Sequence, residues 1–169
     1  SGIQVPMVES RGRVIVLVDN LFTGPLVTQL DQMQKDLEGD GWKVVRHDVD
    51  RNAAVTSIKS LIVNDYNADP LNTKAVFLVG HVPVPYSGNL APDGHQEHYG
   101  AWSADVFYGD VNGTWTDATV YSTGASDPRN HNVPGDGKYD QSVIPSPVEL
   151  AVGRVDFSNM PVFPQDETT

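Results

Sequence analysis

The sequence contains no cysteine. That excludes a disulfide framework, a thiolate nucleophile of the chain's own and every cysteine-based zinc site. It does not fix the compartment, since many exported bacterial domains also lack cysteine. Positive charge is scarce too: 11 basic residues stand against 22 acidic ones, for a formal net charge of −11. Such a field repels polyanions, so nucleic acid and anionic membrane surfaces are poor partners. Nor does any apolar run approach the roughly 20 residues of a membrane-spanning helix, so membrane insertion is not expected. The opening Ser1-Gly2-Ile3 lacks the basic-then-apolar pattern of a signal peptide. A leader already removed, or a chain that starts inside a longer one, is the expectation, in a secreted or cell-surface setting.

What is present is enough for one ordinary core: 39% hydrophobic residues in a chain of 169. After a short extension over residues 1–12, the first half alternates two patterns. Residues 13–19 (RVIVLVD) form a continuous aliphatic run, the mark of a strand buried on both faces. A loop with Thr23, Gly24 and Pro25 follows, proline being well placed for a first helical turn. Leu26, Leu30, Met33 and Leu37 then share one helical stripe, with Gln29, Asp31, Lys35 and Asp36 outside it. Gly39 and Gly41 stop that helix. Residues 42–48 read as a second strand, 53–66 as a second amphipathic helix and 74–80 (KAVFLVG) as a third strand. Strand–helix–strand–helix–strand within 80 residues implies right-handed crossovers and a parallel, doubly wound α/β sheet with strand one inside it.

From residue 82 to 147 the chain becomes rich in proline and glycine, a loop-rich insert. Here only residues 104–108 and 119–122 look like strands, and 148–157 reads as one more buried parallel strand. An insert of this length is uncommon unless it has a task or an ion to hold it. After Phe157 the chain turns polar and proline-broken (158–169), with no helix to cover the last strand; the natural chain is expected to continue.

In an open parallel sheet, ligands gather outside the carboxyl ends of the strands. Asp19 and Asn20 follow strand one, Asp48 and Asp50 strand two, and His81 strand three, while Asp156 closes the last strand; all are expected on one rim. A phosphate-receiving or nucleotide role fits poorly, because no acidic cluster, lysine or glycine-rich phosphate loop accompanies them. Two acidic loops suggest calcium. Asp110, Asn112 and Asp117 place oxygen ligands around a glycine turn; Asp127, Asn130, Asn132, Asp136 and Asp140 crowd the second loop. Neither is a full EF-hand, and Asp-Gly and Asn-Gly are also ordinary turn chemistry. His95 and His98 stand three apart with Asp93 near, and on a helix both rings would share a face. Pro92, Gly94 and Gly100 argue against a helix. The plain reading is loop histidines bonded to backbone or water, with zinc as the alternative. Ser87 and Ser103 lie near histidines without a nucleophile-elbow pattern.

The order of three segments, VFLVGHVPVPYSG, WSADVFYGDVNGTWTD and ELAVGRVDFSNMP, resembles the gingipain-type cysteine peptidases of the caspase-like clan over residues 74–160. In that family a strand ending in Leu-Val-Gly leads to a loop. A Ser/Thr-Asp segment with a tyrosine follows (Ser103-Ala104-Asp105 to Tyr108), then an Asp-Gly-like turn and a strand closing in Gly-Arg. The resemblance implies the amino-terminal part of a caspase/flavodoxin-like three-layer sandwich, incomplete by itself. It also implies that Asp105 matches an acid which orients the catalytic histidine in some members. The family's His-Gly and Asn-Cys segments are missing, and His81 comes too early in the order to take the histidine's role.

Three readings follow. The first is the non-catalytic front portion of such an endopeptidase, from an exported multidomain protein. It would be completed by the remainder of its polypeptide or by a second chain, with a protein or peptide as substrate of the whole. The second is a calcium-stabilised extracellular binding or structural module. The third is a hydrolase using Asp19, His81 and Asp156 at the sheet edge.

Overall fold

Five consecutive aliphatic residues leave the first strand no polar face to show to water, so it must be covered on both sides. In the computed structural model, which describes residues 9–158 and Met160, that strand is β1 (Gly12–Asp19), followed by α1 (Val27–Gly39), β2 (Trp42–Val49), α2 (Val55–Ala68) and β3 (Thr73–Val79). Then come β4 (Tyr86–Leu90), β5 (Gly100–Ser103), the one-turn helix α3 (Val106–Gly109) and β6 (Ala151–Val155). The main sheet is parallel throughout, in the order β2-β1-β3-β6. A second, antiparallel sheet pairs β4 with β5.

Alternation along β1 sends Val14, Val16 and Val18 to one face, where Leu30, Met33 and Leu37 of α1 meet them. Ile15 and Leu17 point to the other face, against Ile58 and Ile62 of α2. The two helices thus cover opposite faces, as doubly wound crossovers require. Each fully buried aliphatic side chain contributes roughly 1.5–3 kcal/mol through removal from water.

The link from β3 to its parallel neighbour β6 must also cross a face, and it crosses on the α2 side. No long helix makes this crossing. Phe107 and Tyr108 of α3, Tyr139 and Leu150 instead join the core cluster of Ile58, Ile62 and Leu78. Phe107 stacks on Tyr139 with ring centroids 4.5 Å apart, and Trp115 meets Phe107 edge-on at 5.4 Å. Aromatic burial therefore replaces the helix.

The structure revises several expected elements. Residues 104–108 form a turn and the helix α3 rather than a strand, because Asp105 starts a helical turn whose carbonyl accepts the Tyr108 N–H. Residues 119–122 make no strand; only an isolated bridge joins Ser122 to Asn132. The last strand starts at Ala151 rather than 148, since the N–H groups of Glu149 and Leu150 both donate to the Gly109 carbonyl at 3.1 Å. The β4–β5 hairpin has no counterpart in the sequence pattern. Residues 1–8, most of the amino-terminal extension, and 161–169, most of the polar tail, lie outside the described residues. No helix among the described residues is long and apolar enough to cross a membrane.

Candidate functional site

Strand order reverses between β1 and β3, which makes the crevice beyond their carboxyl ends the natural ligand position of this topology. Here that crevice is filled from within. Asp19, fully buried, accepts the Leu21 N–H at 3.1 Å on Oδ1 and the His81 N–H at 3.2 Å on Oδ2. Arg51, just past the end of β2, donates to the same Oδ2 from Nε at 2.9 Å and from Nη2 at 2.6 Å. Gly80 turns with φ of +80°, and a Cβ there would collide with the Phe22 ring and lie 2.8 Å from the Asp19 Cβ. Only glycine allows both the backbone sign and the approach. The Arg51 guanidinium in turn sits 5.9 Å from the Phe22 ring centroid. A guanidinium and two backbone donors thus hold this buried side chain in one fixed geometry.

The rim continues over β3 and β6. Arg154 forks onto Asp105, with Nε to Oδ2 at 2.7 Å and Nη2 to Oδ1 at 2.8 Å. It also donates to the carbonyls of Val82 at 2.5 Å and Pro83 at 3.3 Å, and lies 3.7 Å from Asp156. The buried Tyr108 hydroxyl donates to the same Pro83 carbonyl at 2.7 Å, and burial pushes that phenol far above its ordinary pKa. Asp105 therefore faces an arginine; both of its oxygens are engaged there and not by a histidine ring.

His81 shows what the rim can and cannot do. Its Nδ1 lies 2.8 Å from Asp156 Oδ2 and 2.7 Å from the Ser158 hydroxyl. A serine–histidine–carboxylate relay needs the hydroxyl and the carboxylate on opposite ring nitrogens, so that one takes the serine proton while the other is oriented. Here both compete for one nitrogen, and no relay forms. Burial alone would push Asp156 upward. The bonds from Ser158 and His81 outweigh it and hold the carboxyl below the ordinary range.

So the structure brings Asp19, His81 and Asp156 to one rim, with Asp105 joined through Arg154. It leaves Asp48 paired to Arg46 on β2 at 2.9 Å and Asp50 closing a turn on the Asn52 N–H at 2.8 Å. Asn20 sits in a short 3-10 turn. Arg51, Arg154 and Ser158 escaped the sequence reading. The first was within reach, since a residue just beyond β2 must lie beside the end of β1.

The acidic loops are organised around carboxylates acting as anions. Asp140 accepts the N–H groups of Ala118, Thr119 and Val120 and the Thr116 hydroxyl, all within 3.0 Å. Burial raises its pKa, but these four donors prevail and hold it well below the usual carboxylate range. Asp117 takes the N–H groups of Gly135 at 2.6 Å and Gly137 at 2.7 Å. Asp136 takes those of Val133 and Lys138, and Asp127 that of Arg129. Asp110 is buried and accepts from the Trp115 indole and the Ser146 hydroxyl. Asn112 donates to Glu149. Asn130 and Asn132 donate to the carbonyls of Ala101, and of Gly88 and Tyr139. A groove of about 230 Å³ between β4, β5 and residues 141–144 includes Trp102 and Trp115, and none of the charged rim residues line it.

Among the described residues one group has the donor types and spacing of a metal centre: Asp93, His95 and His98. Hydrogen bonds from His98 first, then from the His95 backbone, hold the exposed Asp93 far below the ordinary range.

Fold and rim together define a class: a doubly wound parallel α/β domain with a buried Asp19–Arg51 ion pair at its switch point. Comparison with protein-family models, with curated proteins and with solved structures gives no match.

Proposed function

We propose that the chain is the non-catalytic front portion of a gingipain-like, caspase-fold endopeptidase of an exported multidomain protein. The remainder of its polypeptide, or a second chain, would supply the missing histidine and cysteine. One observation carries the reading. The three segments whose order resembles that family converge on a single node, Arg154. From the Gly-Arg strand it grips Asp105 of the Ser-Ala-Asp segment and the Val82 and Pro83 carbonyls of the loop after Leu-Val-Gly. Residues far apart in sequence thus meet at one structural node, which supports reading the three segments as parts of one scaffold.

The exposed apolar residues at the β6 edge, among the described residues, support the same reading. Ala151, Gly153 and Val155 pair in register with Ala75, Phe77 and Val79, on the α1 face. Yet α1 covers the β2–β1 side, and Val155 and Phe157 remain 43% and 57% exposed. An apolar sheet face of this kind suits a further segment of a larger domain. In the calcium-stabilised alternative, Asp117 and Asp140 would have to exchange backbone donors for a cation, and nothing in the loops favours that exchange.

The test compares this chain with the longer product of its gene on unstructured peptide substrates. The chain alone is expected to be silent, and the longer product to cleave and to lose activity when its cysteine is replaced. Cleavage by the purified chain alone would overturn the proposal.

A further inference from the structure

We infer that Asp93, His95 and His98 form a surface site for a borderline divalent cation, zinc foremost. The donors are two imidazoles and one carboxylate, the set that zinc takes when it keeps a fourth position open to water or to another ligand. Both ring Nδ1 atoms converge on one oxygen, Asp93 Oδ2, at 2.6 Å from His98 and 3.3 Å from His95. Zinc bonds of about 2.0–2.1 Å at tetrahedral angles set ligand atoms roughly 3.3 Å apart. The His95 side already has that spacing; the His98 side opens by about 0.7 Å (3.3 less 2.6) when the metal replaces the proton shared with Asp93.

Local backbone makes the arrangement. Gly94 turns with φ of +79°, and the His95 N–H binds Asp93 Oδ1 at 3.2 Å, which leaves Oδ2 to face the rings. His95 then caps a single 3-10 turn over residues 96–98, and the His98 N–H donates to the His95 carbonyl at 3.1 Å, which folds the two residues together. The i,i+3 histidines therefore meet without the α-helix that Pro92, Gly94 and Gly100 forbid. The frame behind them is pinned. The Trp102 indole donates to the His98 carbonyl at 3.1 Å, and the Ser126 N–H donates to that of Glu97 at 2.8 Å. With His95 64% exposed and Asp93 and His98 near 42%, the metal enters without any opening of the fold. Its effect is to lock residues 93–98 into one loop conformation. This goes beyond the peptidase-scaffold reading and does not depend on it.

Calorimetric titration of the metal-free protein with Zn²⁺ tests the site, with Co²⁺ as a spectroscopic stand-in. One equivalent should bind, and cobalt should give the visible absorption of low-coordinate Co²⁺. Trp102, whose ring lies 6.2 Å from that of His98, should lose emission as cobalt loads. His95→Ala and His98→Ala should each weaken binding by more than the ~10–100-fold seen when outer partners of a metal ligand are removed. His131→Ala, at a histidine bonded to the Ala125 carbonyl, should bind as the parent does. His95 is exposed and His98 half-buried, and folding of the variants is checked by an unchanged melt without metal. Failure of the parent to bind one equivalent, or parent-like affinity in either ligand variant, overturns the site.

Discussion

The sheet half and the insert are held together by opposite means. From Gly12 to Val79, stability comes from aliphatic area: Ile15, Val16, Leu17, Val18 and Ile62 have no exposed surface, and two helices sandwich them. From residue 82 to 150, few aliphatics are available. Three interlocked aromatic rings and a set of carboxylates, each gathering backbone donors, do the same task. Burial is non-directional and tolerates substitution of similar volume, whereas a carboxylate gathering several donors fixes one loop geometry and no other. An insert built the second way can hold residues in place with little core, which suits a surface to be covered or approached by something else.

Four experiments break or sharpen this contrast. Leu17→Ala in the sheet should cost about 2–5 kcal/mol, the range for truncating a fully buried leucine, and should lower the denaturant midpoint of the whole chain. A smaller loss, with unchanged β1 amide protection, would mean that the sheet is not the common core. Arg154→Ala cuts the joint between the halves. It strands Asp105 and two carbonyls and should cost roughly 2–3 kcal/mol, with Arg154→Lys recovering only part because the fork is lost. An Arg154→Lys variant as stable as the parent would deny the fork its role.

Asp140→Ala removes the centre of one insert loop. The expected loss is about 1–3 kcal/mol, and hydrogen exchange should show it as local: amides 118–120 lose protection while those of β1 keep theirs. Smallest is a pH effect on Lys59, which joins α2 to the insert by donating to the carbonyls of Phe107 and Asp110. Burial lowers its pKa from 10.5 to about 8, against the pull of Asp110 and Glu149. The unfolded chain then binds more protons between those values, so stability should rise with pH from about 8 toward 10.5. Because the ammonium is partly solvated, the slope should stay below one full proton's worth. Urea midpoints across that window check it, and Lys59→Met should flatten the curve.

The contrast also explains what could be read from sequence. RVIVLVD and KAVFLVG announce buried parallel strands because burial writes itself as composition, and the Leu30, Met33, Leu37 stripe announces α1 for the same reason. Their topology then delivers the rim, and with it Asp19, His81 and Asp156. Residues 119–122 deceive because Asp140, some twenty positions away, takes the N–H groups a ladder would need. Residues 104–108 deceive because Phe107 and Tyr108 are claimed by the core beneath α2, which overrides their β-propensity. Arg154 stood in a legible motif, but its partner Asp105 is 49 residues upstream, and no periodicity encodes such a pair.

The most direct measurement of the peptidase-scaffold proposal is the coding sequence downstream of Thr169. Within roughly the next hundred residues, the remainder of an ordinary domain, it should encode a His-Gly segment and then a cysteine segment, each after a further aliphatic strand. A reading frame that closes without either would contradict the proposal.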